Sequence, residues 1–258
     1  MKKKWDIKIS QSLVKEMIKE KPCYKTIKLG FIDQVQTTPT DAMLNGLYFE
    51  HHLIGGTRDG IEPVLPKSKS GAMLKRETDI LELVERAKPI MDKLRIKPLE
   101  VQPHYKSDKL SGHLDLIADV SGEKAIVDVK WTGLDLNNKW NGWKDIDKQY
   151  PENVVGIADK LIQPLHYVEL MYQITGEMLP FYFLVFNKSG GCKFIRVLIS
   201  EVTLDKYRRI LEEIESKLFD IGLNDFSPAP EYNKCRGCFY KHHCNTVSFL
   251  PDTEEVII

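Results

Sequence analysis

A chain of 258 residues is long enough for one large domain, or for one domain with a small appendage. Its 37 basic and 37 acidic side chains cancel, which excludes a globally basic nucleic-acid binder and leaves only local charge to attract such a partner. Apolar residues make up 42%, but no apolar run is long enough to cross a bilayer and none follows the charges of residues 1–4, so the expected compartment is the cytoplasm.

Residues 9–19 have helical spacing, with Ser10 as an N-cap ahead of Leu13, Val14, Met17 and Ile18. Cys23 follows, beside Pro22. A second helix is predicted over Asp41–Ile54, stopped by Gly55-Gly56, with Glu50, His51 and His52 near its end. A polar loop at 67–71 leads into an amphipathic helix over 78–94, which Pro89 is expected to kink or shorten. The period then changes: residues 110–120 and 125–132 read as two strands joined by a turn at 121–124. A helix over 160–175, strands at 181–187 and 193–199 around Ser189-Gly190-Gly191, and a long helix over 203–219 follow. Ser227-Pro228-Ala229-Pro230 breaks the chain ahead of Cys235, Cys238 and Cys244. Helices, then a small mixed sheet, then helices predict an α/β core. Short basic stretches at 2–4, 67–69 and 93–97 read as solvated faces, each a local candidate for a DNA contact.

The strand pair carries the chemistry. Period-two alternation places Asp128 and Lys130 side by side on the face opposite Ala125, Val127, Val129 and Trp131. The hairpin brings Asp115 toward them. Two carboxylates suit a hard divalent ion such as Mg²⁺ or Mn²⁺, with the Val129 carbonyl as a further oxygen ligand. Such an ion polarises a phosphate and activates water, and the Lys130 ammonium orients that water or stabilises charge on the transition state. An isolated Asp-x-Lys is common on solvated sheet faces; the preceding Gly112-x-x-Asp115 and the hairpin spacing are what give this one meaning.

Gly112-x-x-Asp115, Asp128-x-Lys130 and Gln163-x-x-x-Tyr167, in that order, resemble the RecB-type branch of the PD-(D/E)XK nuclease superfamily. The resemblance implies a restriction-endonuclease-like core, a mixed central sheet flanked by helices, and hydrolysis of DNA phosphodiester bonds. It casts Gln163 and Tyr167 as positioning residues on a helix beside the metal site. It also implies a metal ligand on an early helix, for which Glu50, His51 and His52 all stand in the right order. Pro164 follows Gln163, so Gln163 is expected just ahead of the helix, with Pro164 at its first position.

Of the five cysteines, Cys235-x-x-Cys238 and Cys244 lie within ten residues, and the odd total argues against a disulfide framework. They need a fourth ligand, for which Cys23 and Cys192 are candidates. Spacing alone suits structural zinc, with His242 or His243 able to replace a cysteine. One cysteine near the N-terminus and three near the C-terminus resemble the CRISPR-associated RecB-like exonucleases and the AddB nuclease domain, which implies a [4Fe–4S] cluster on Cys23, Cys235, Cys238 and Cys244. Phe239 and Tyr240 are expected to pack over that site, with stacking on DNA as the alternative. The resulting expectation is a single nuclease domain over 1–258, with 1–40 and 227–258 joined as an iron–sulfur-bound terminal region. The expected activity is removal of nucleotides from DNA ends or single strands. A sequence- or structure-specific endonuclease and a non-catalytic DNA-binding or assembly module are the alternatives. The first would need an added recognition domain, and the second sits poorly with the complete Asp115, Asp128 and Lys130 set. Recombination, CRISPR-adaptation and phage DNA processing are the settings the resemblance allows for protein partners.

Overall fold

A computed structural model describes residues 7–19, 22–56, 60–67, 74–137, 161–221, 235 and 237–244. The readings of residues 2–4, of most of the polar loop after Lys67 and of the 227–230 breaker lie outside them. The chain divides into two compact units, one formed by Pro39–Tyr207 and the other by Met1–Thr38 with Arg208–Ile258.

In the terminal unit, strand β1 (Ile9–Ser10) leads into helix α1 (Gln11–Met17). The Ser10 hydroxyl accepts from the Leu13 amide at 3.3 Å, satisfying one of the free donors of the first turn, as the sequence predicts. Leu13, Val14 and Met17 are buried, one face of the helix. Helix α2 (Tyr24–Ile27) begins directly after Cys23 and runs into a π-helical turn, Lys28–Ile32.

The larger unit opens with helix α3 (Asp41–Ile54), whose bounds match the sequence reading. Thr40 caps its start through the Met43 amide, and Gly55, at φ +72°, ends it in a conformation that favours glycine. Helix α4 (Lys75–Lys93) begins earlier than predicted and continues through Pro89. Pro89 and Glu85, whose carbonyl loses its helical partner, are both on the exposed side, where water can replace the missing bond.

Five strands form the central sheet: β2 (Ile96–Val101), β5 (Leu116–Val120), β6 (Glu123–Thr132), β7 (Phe181–Asn187) and β8 (Cys192–Val197), in the order β2-β5-β6-β7-β8. The β6–β7 pair is parallel and the others antiparallel, which makes the sheet mixed. Between β2 and β5 the chain makes a short antiparallel pair, β3 (His104–Lys106) with β4 (Leu110–His113). Ser121 and Gly122 both take positive φ, the geometry of a tight two-residue hairpin turn between β5 and β6. A parallel pair needs a crossover, and helix α5 (Ile162–Thr175) lies on the connection from β6 to β7. Helix α6 (Glu201–Ile221) follows β8.

Two expectations need correction. The strand predicted over 110–120 is two strands, interrupted at Leu114–Asp115, where Gln102 N–H donates to the Asp115 carbonyl and Leu114 N–H to that of Pro103. The Asp128 face of the sheet is also not solvated. Alternate residues from β5, β6 and β7, among them Leu116, Val127 and Leu184, join α3 and α4 in one hydrophobic cluster. The opposite set, including Ile117, Ile126, Phe181 and Phe183, is equally buried, and the Phe181 ring lies 6.5 Å from Tyr167 of α5. The sheet is therefore sandwiched, and near-continuous apolar runs such as β7 follow from burial on both faces. No described helix is long and apolar enough to cross a membrane.

Candidate active site

The β5–β6 register pairs Leu116 with Val127, and one further step sets Asp115 opposite Asp128. Asp115 sits where β4 breaks from β5, and its Oδ2 accepts from the Val129 amide at 2.9 Å. This bond works because β6 runs on past the end of β5, leaving the Val129 N–H without a strand partner on that side. Asp115 and Asp128 are 1% and 0% exposed, so both carboxylates are set inside the protein rather than on it.

Lys130, two residues after Asp128 and on the same side of β6, places Nζ 2.5 Å from Asp128 Oδ2 and 3.8 Å from Asp115 Oδ2. The approach to Asp128 Oδ2 is an ion pair that departs from hydrogen-bond geometry, because that oxygen has no hydrogen-bond partner among the described residues. Burial pushes the Asp128 carboxyl well above the carboxylate range; Lys130 opposes the rise and Asp115 adds to it. Burial also works against the Lys130 charge, yet Asp128 and Asp115, with Glu50 adding, hold the ammonium above its ordinary pKa.

Helix α5 supports this cluster. Gln163 is inside the helix, not ahead of it: Ile162 opens α5, and Pro164 sits among the first residues, whose amides have no partner within the helix. Gln163 and Tyr167 therefore share a face after all. Gln163 Nε2 donates to Asp128 Oδ1, and the Tyr167 hydroxyl donates to the His113 carbonyl at 2.7 Å, two residues before Asp115. The glycine of the Gly112-x-x-Asp115 motif has a steric reason: a Cβ there would lie 2.9 Å from the Tyr167 ring.

The three candidates on α3 part company. Glu50 is buried, accepts from Gln102 Nε2 and contributes to the field at Lys130. His51 donates through Nδ1 to the Gly56 carbonyl at 2.7 Å, with Nε2 3.5 Å from Glu62. His52 packs on the Tyr48 ring at 4.3 Å, and burial, with His51 adding, lowers its basicity. Between α3, the 61–64 segment, Gln102 and the end of β6 that runs past β5 lies a cavity of about 690 Å³, lined by Glu50, Val129 and Lys130 among others.

Sequence reasoning missed His166. It is fully buried, donates through Nε2 to the Ser111 carbonyl at 3.0 Å and accepts through Nδ1 from the Tyr207 hydroxyl at 2.8 Å. It ties α5 to β4, and burial pushes its pKa down to about 4. The only sequence signal was a histidine among apolar neighbours, a poor pointer on its own.

The cysteines separate between the units. Cys23, Cys235, Cys238 and Cys244 belong to the terminal unit, and Cys192 to the larger one. All five are half-buried thiols outside any disulfide. Cys192 opens β8 against Phe186 and packs against the core, and burial raises its thiol to about 11. Thr26 Oγ1, on the helix that follows Cys23, lies 4.0 Å from Cys238 Sγ. The Tyr240 amide donates to the same sulfur, and the Tyr240 hydroxyl abuts Gly30. Tyr240 packs within the unit, whereas Phe239 is exposed, as are His242 and His243. Among the described residues, no three His, Cys, Asp or Glu side chains converge closely enough as they stand to hold a metal ion.

A model of the PD-(D/E)XK nuclease superfamily matches residues 40–245. The chain belongs to this superfamily. No curated protein matches it. Among solved structures, a chain from Eubacterium rectale described as a candidate exonuclease shares 18% identity at a TM-score of 0.62, covering 96% of this chain and 91% of that one. LHK-Exo, solved in complex with dAMP, shares 11% identity at a TM-score of 0.47, covering 81% and 87%. The Eubacterium rectale structure supports the PD-(D/E)XK fold, a mixed sheet flanked by helices.

Proposed function

We propose that this PD-(D/E)XK nuclease is a Mg²⁺- or Mn²⁺-dependent deoxyribonuclease that degrades DNA from its ends. The observation that carries the reading is the convergence of Asp115, Asp128 and Lys130, with one buried Asp128 oxygen lacking a hydrogen bond. That oxygen and the two-carboxylate donor set fit a hard cation, which Asp115, Asp128, the Val129 carbonyl and Glu50 would hold. When bound, the ion neutralises phosphate charge and makes water a better nucleophile. Lys130, held protonated by its carboxylate neighbours, donates hydrogen bonds to the attacking water or to the phosphoryl oxygen that gains charge. Gln163 fixes the Asp128 carboxylate, and Tyr167 fixes the backbone that leads to Asp115.

The test is strand scission on linear and covalently closed circular DNA with Mg²⁺, with Mn²⁺ and with excess chelator. Degradation of linear DNA alone, lost with chelator and in Asp128→Ala, is expected. Cleavage of closed circles would replace end-directed action with endonuclease action, and cleavage in chelator would overturn the metal-dependent mechanism.

For the terminal unit we propose a [4Fe–4S] cluster on Cys23, Cys235, Cys238 and Cys244. Four thiols in one compact unit, with the fifth cysteine in the other, support the assignment, and thiolate sulfur is the donor such clusters require.

A further inference from the structure

We propose that the cavity beside Lys130 is a nucleobase pocket, and that the enzyme therefore takes a DNA strand whose base next to the scissile phosphate is unpaired. This rests on the nuclease reading and names the form of its substrate. The cavity adjoins the carboxylate–lysine cluster, because Lys130, paired with both carboxylates, and Val129, bonded to Asp115, line it. A group seated in the cavity would therefore lie beside a phosphate held at Lys130.

The walls say which part of DNA that is. Met43, Ile61 and Val64 are 51%, 74% and 68% exposed, and all three line this one cavity, with Leu47, Pro63 and Trp131 extending the apolar surface. Clustered exposed apolar side chains mark a binding surface. The ionisable side chains around the rim include two acids, Glu50 and Glu62, against Lys130 and His51. A lining with as many acids as bases offers a run of phosphates no net attraction, since backbone binding needs an excess of positive charge. A nucleobase, flat and apolar on its faces with polar edges, suits it, and apolar and aromatic walls are the usual platform for an unstacked base. At about 690 Å³ the volume lies within the ~300–1,000 Å³ range of small-ligand sites, too narrow for a duplex. A base in this pocket has left its stack and its partner, which is easiest at a frayed or single-stranded end.

The experiment compares single-stranded oligonucleotides that carry, at the terminal position, either a normal base or an abasic sugar with the same backbone. Binding is followed in parallel by the fluorescence of 2-aminopurine placed there. The variant is Met43→Ser/Ile61→Ser/Val64→Ser, three exposed positions whose change leaves the core intact. We expect the wild type to cleave the abasic strand at least tenfold more slowly, and to cleave a duplex faster when its terminal pair is mismatched. The variant should bring the normal strand down to the abasic rate while leaving the abasic rate unchanged, and should lose the 2-aminopurine quenching. Equal cleavage of normal and abasic strands by the wild type overturns the pocket and leaves the nuclease reading standing. Base-dependent quenching that the variant abolishes, in a protein that cleaves nothing, upholds the pocket and overturns the nuclease reading. Absence of both cleavage and quenching overturns both.

Discussion

Asp128 has no exposure to solvent and shares one ammonium with Asp115, so its charge is maintained at the expense of folding. Burial is the largest influence on its carboxyl and raises it. Asn has the same shape and can still accept from Gln163, but carries no charge to desolvate. Asp128→Asn should therefore raise the melting temperature of the metal-free protein while abolishing strand scission, a trade common at active sites. A lower melting temperature would show that the Lys130 pair stabilises the fold on balance. His166 gives a second residue-scale test, through pH. Its pKa falls from 6.5 to about 4 on folding, because burial disfavours the imidazolium. Below pH 6.5 the unfolded chain binds a proton that the folded chain refuses, so stability falls as pH drops from 6.5 toward 4 and is fully present above 6.5. The shift corresponds to about 3 kcal/mol at its full extent. His166→Gln, which keeps a donor for Ser111 and an acceptor for Tyr207, should flatten the stability curve in that window. Urea midpoints between pH 7 and pH 4 that fall equally in both proteins would assign the acid sensitivity to other groups.

Helix α5 and the β4–β5 junction act as one clamp on Asp115. The Tyr167 ring occupies the space where any side chain at 112 would begin, and its hydroxyl holds the His113 carbonyl. Gly112→Ala should push the ring aside and, by moving Asp115, lower kcat by on the order of 10²-fold, the scale of a misplaced reacting group. Tyr167→Ala should cost a similar amount. The double variant should be little worse than either, because both changes release the same contact; additive losses would mean that the two residues act separately. Gln163→Ala should reduce cleavage less than loss of either carboxylate. Where the sequence was legible, this element logic was local. α3 announced itself through its apolar spacing and Gly55, and the hairpin through Ser121-Gly122 between alternating strands. Where it was not, tertiary context decided. β2 is an edge strand with one buried residue, Ile96, and charged or proline neighbours, so no period-two pattern marks it. The break at Leu114–Asp115 depends on main-chain bonds to Gln102 and Pro103, which no local pattern encodes. The convergence of Asp115, Asp128 and Lys130 could be read because their spacing lies within one hairpin. Which of Glu50, His51 and His52 is turned toward Lys130 depends on how α3 faces the sheet, which spacing alone does not give. The cavity, assembled from segments far apart in the chain, left no trace in the linear order.

At the scale of the whole molecule, the cysteines distribute in a way that chain order does not explain. Cys23 and the three C-terminal cysteines lie at opposite ends of the sequence yet fall in one compact unit, whereas Cys192, nearer in sequence to the C-terminal three, falls in the other. Contacts already link those ends: Thr26 and Cys238 meet across 212 positions, and Tyr240 rests against Gly30. A cluster bound there closes a loop of most of the chain. The entropy of closing a loop rises with its length, so the unfolded state is restricted strongly. Cys23→Ser, Cys235→Ser, Cys238→Ser and Cys244→Ser should each lower iron and sulfide content in anaerobically purified protein and depress the melting temperature. Cys192→Ser should leave both metal and sulfide unchanged, because its thiol is raised by burial and held beside Phe186 in β8. Activity should fall as a consequence of lost stability, so at a temperature well below the melting point the serine variants should retain cleavage of linear DNA. Asp115, Asp128 and Lys130 belong to the other unit. Stoichiometric zinc without sulfide would replace the cluster with a structural zinc site on the same thiols. Loss of iron only in Cys192→Ser would remove the terminal unit from metal binding altogether.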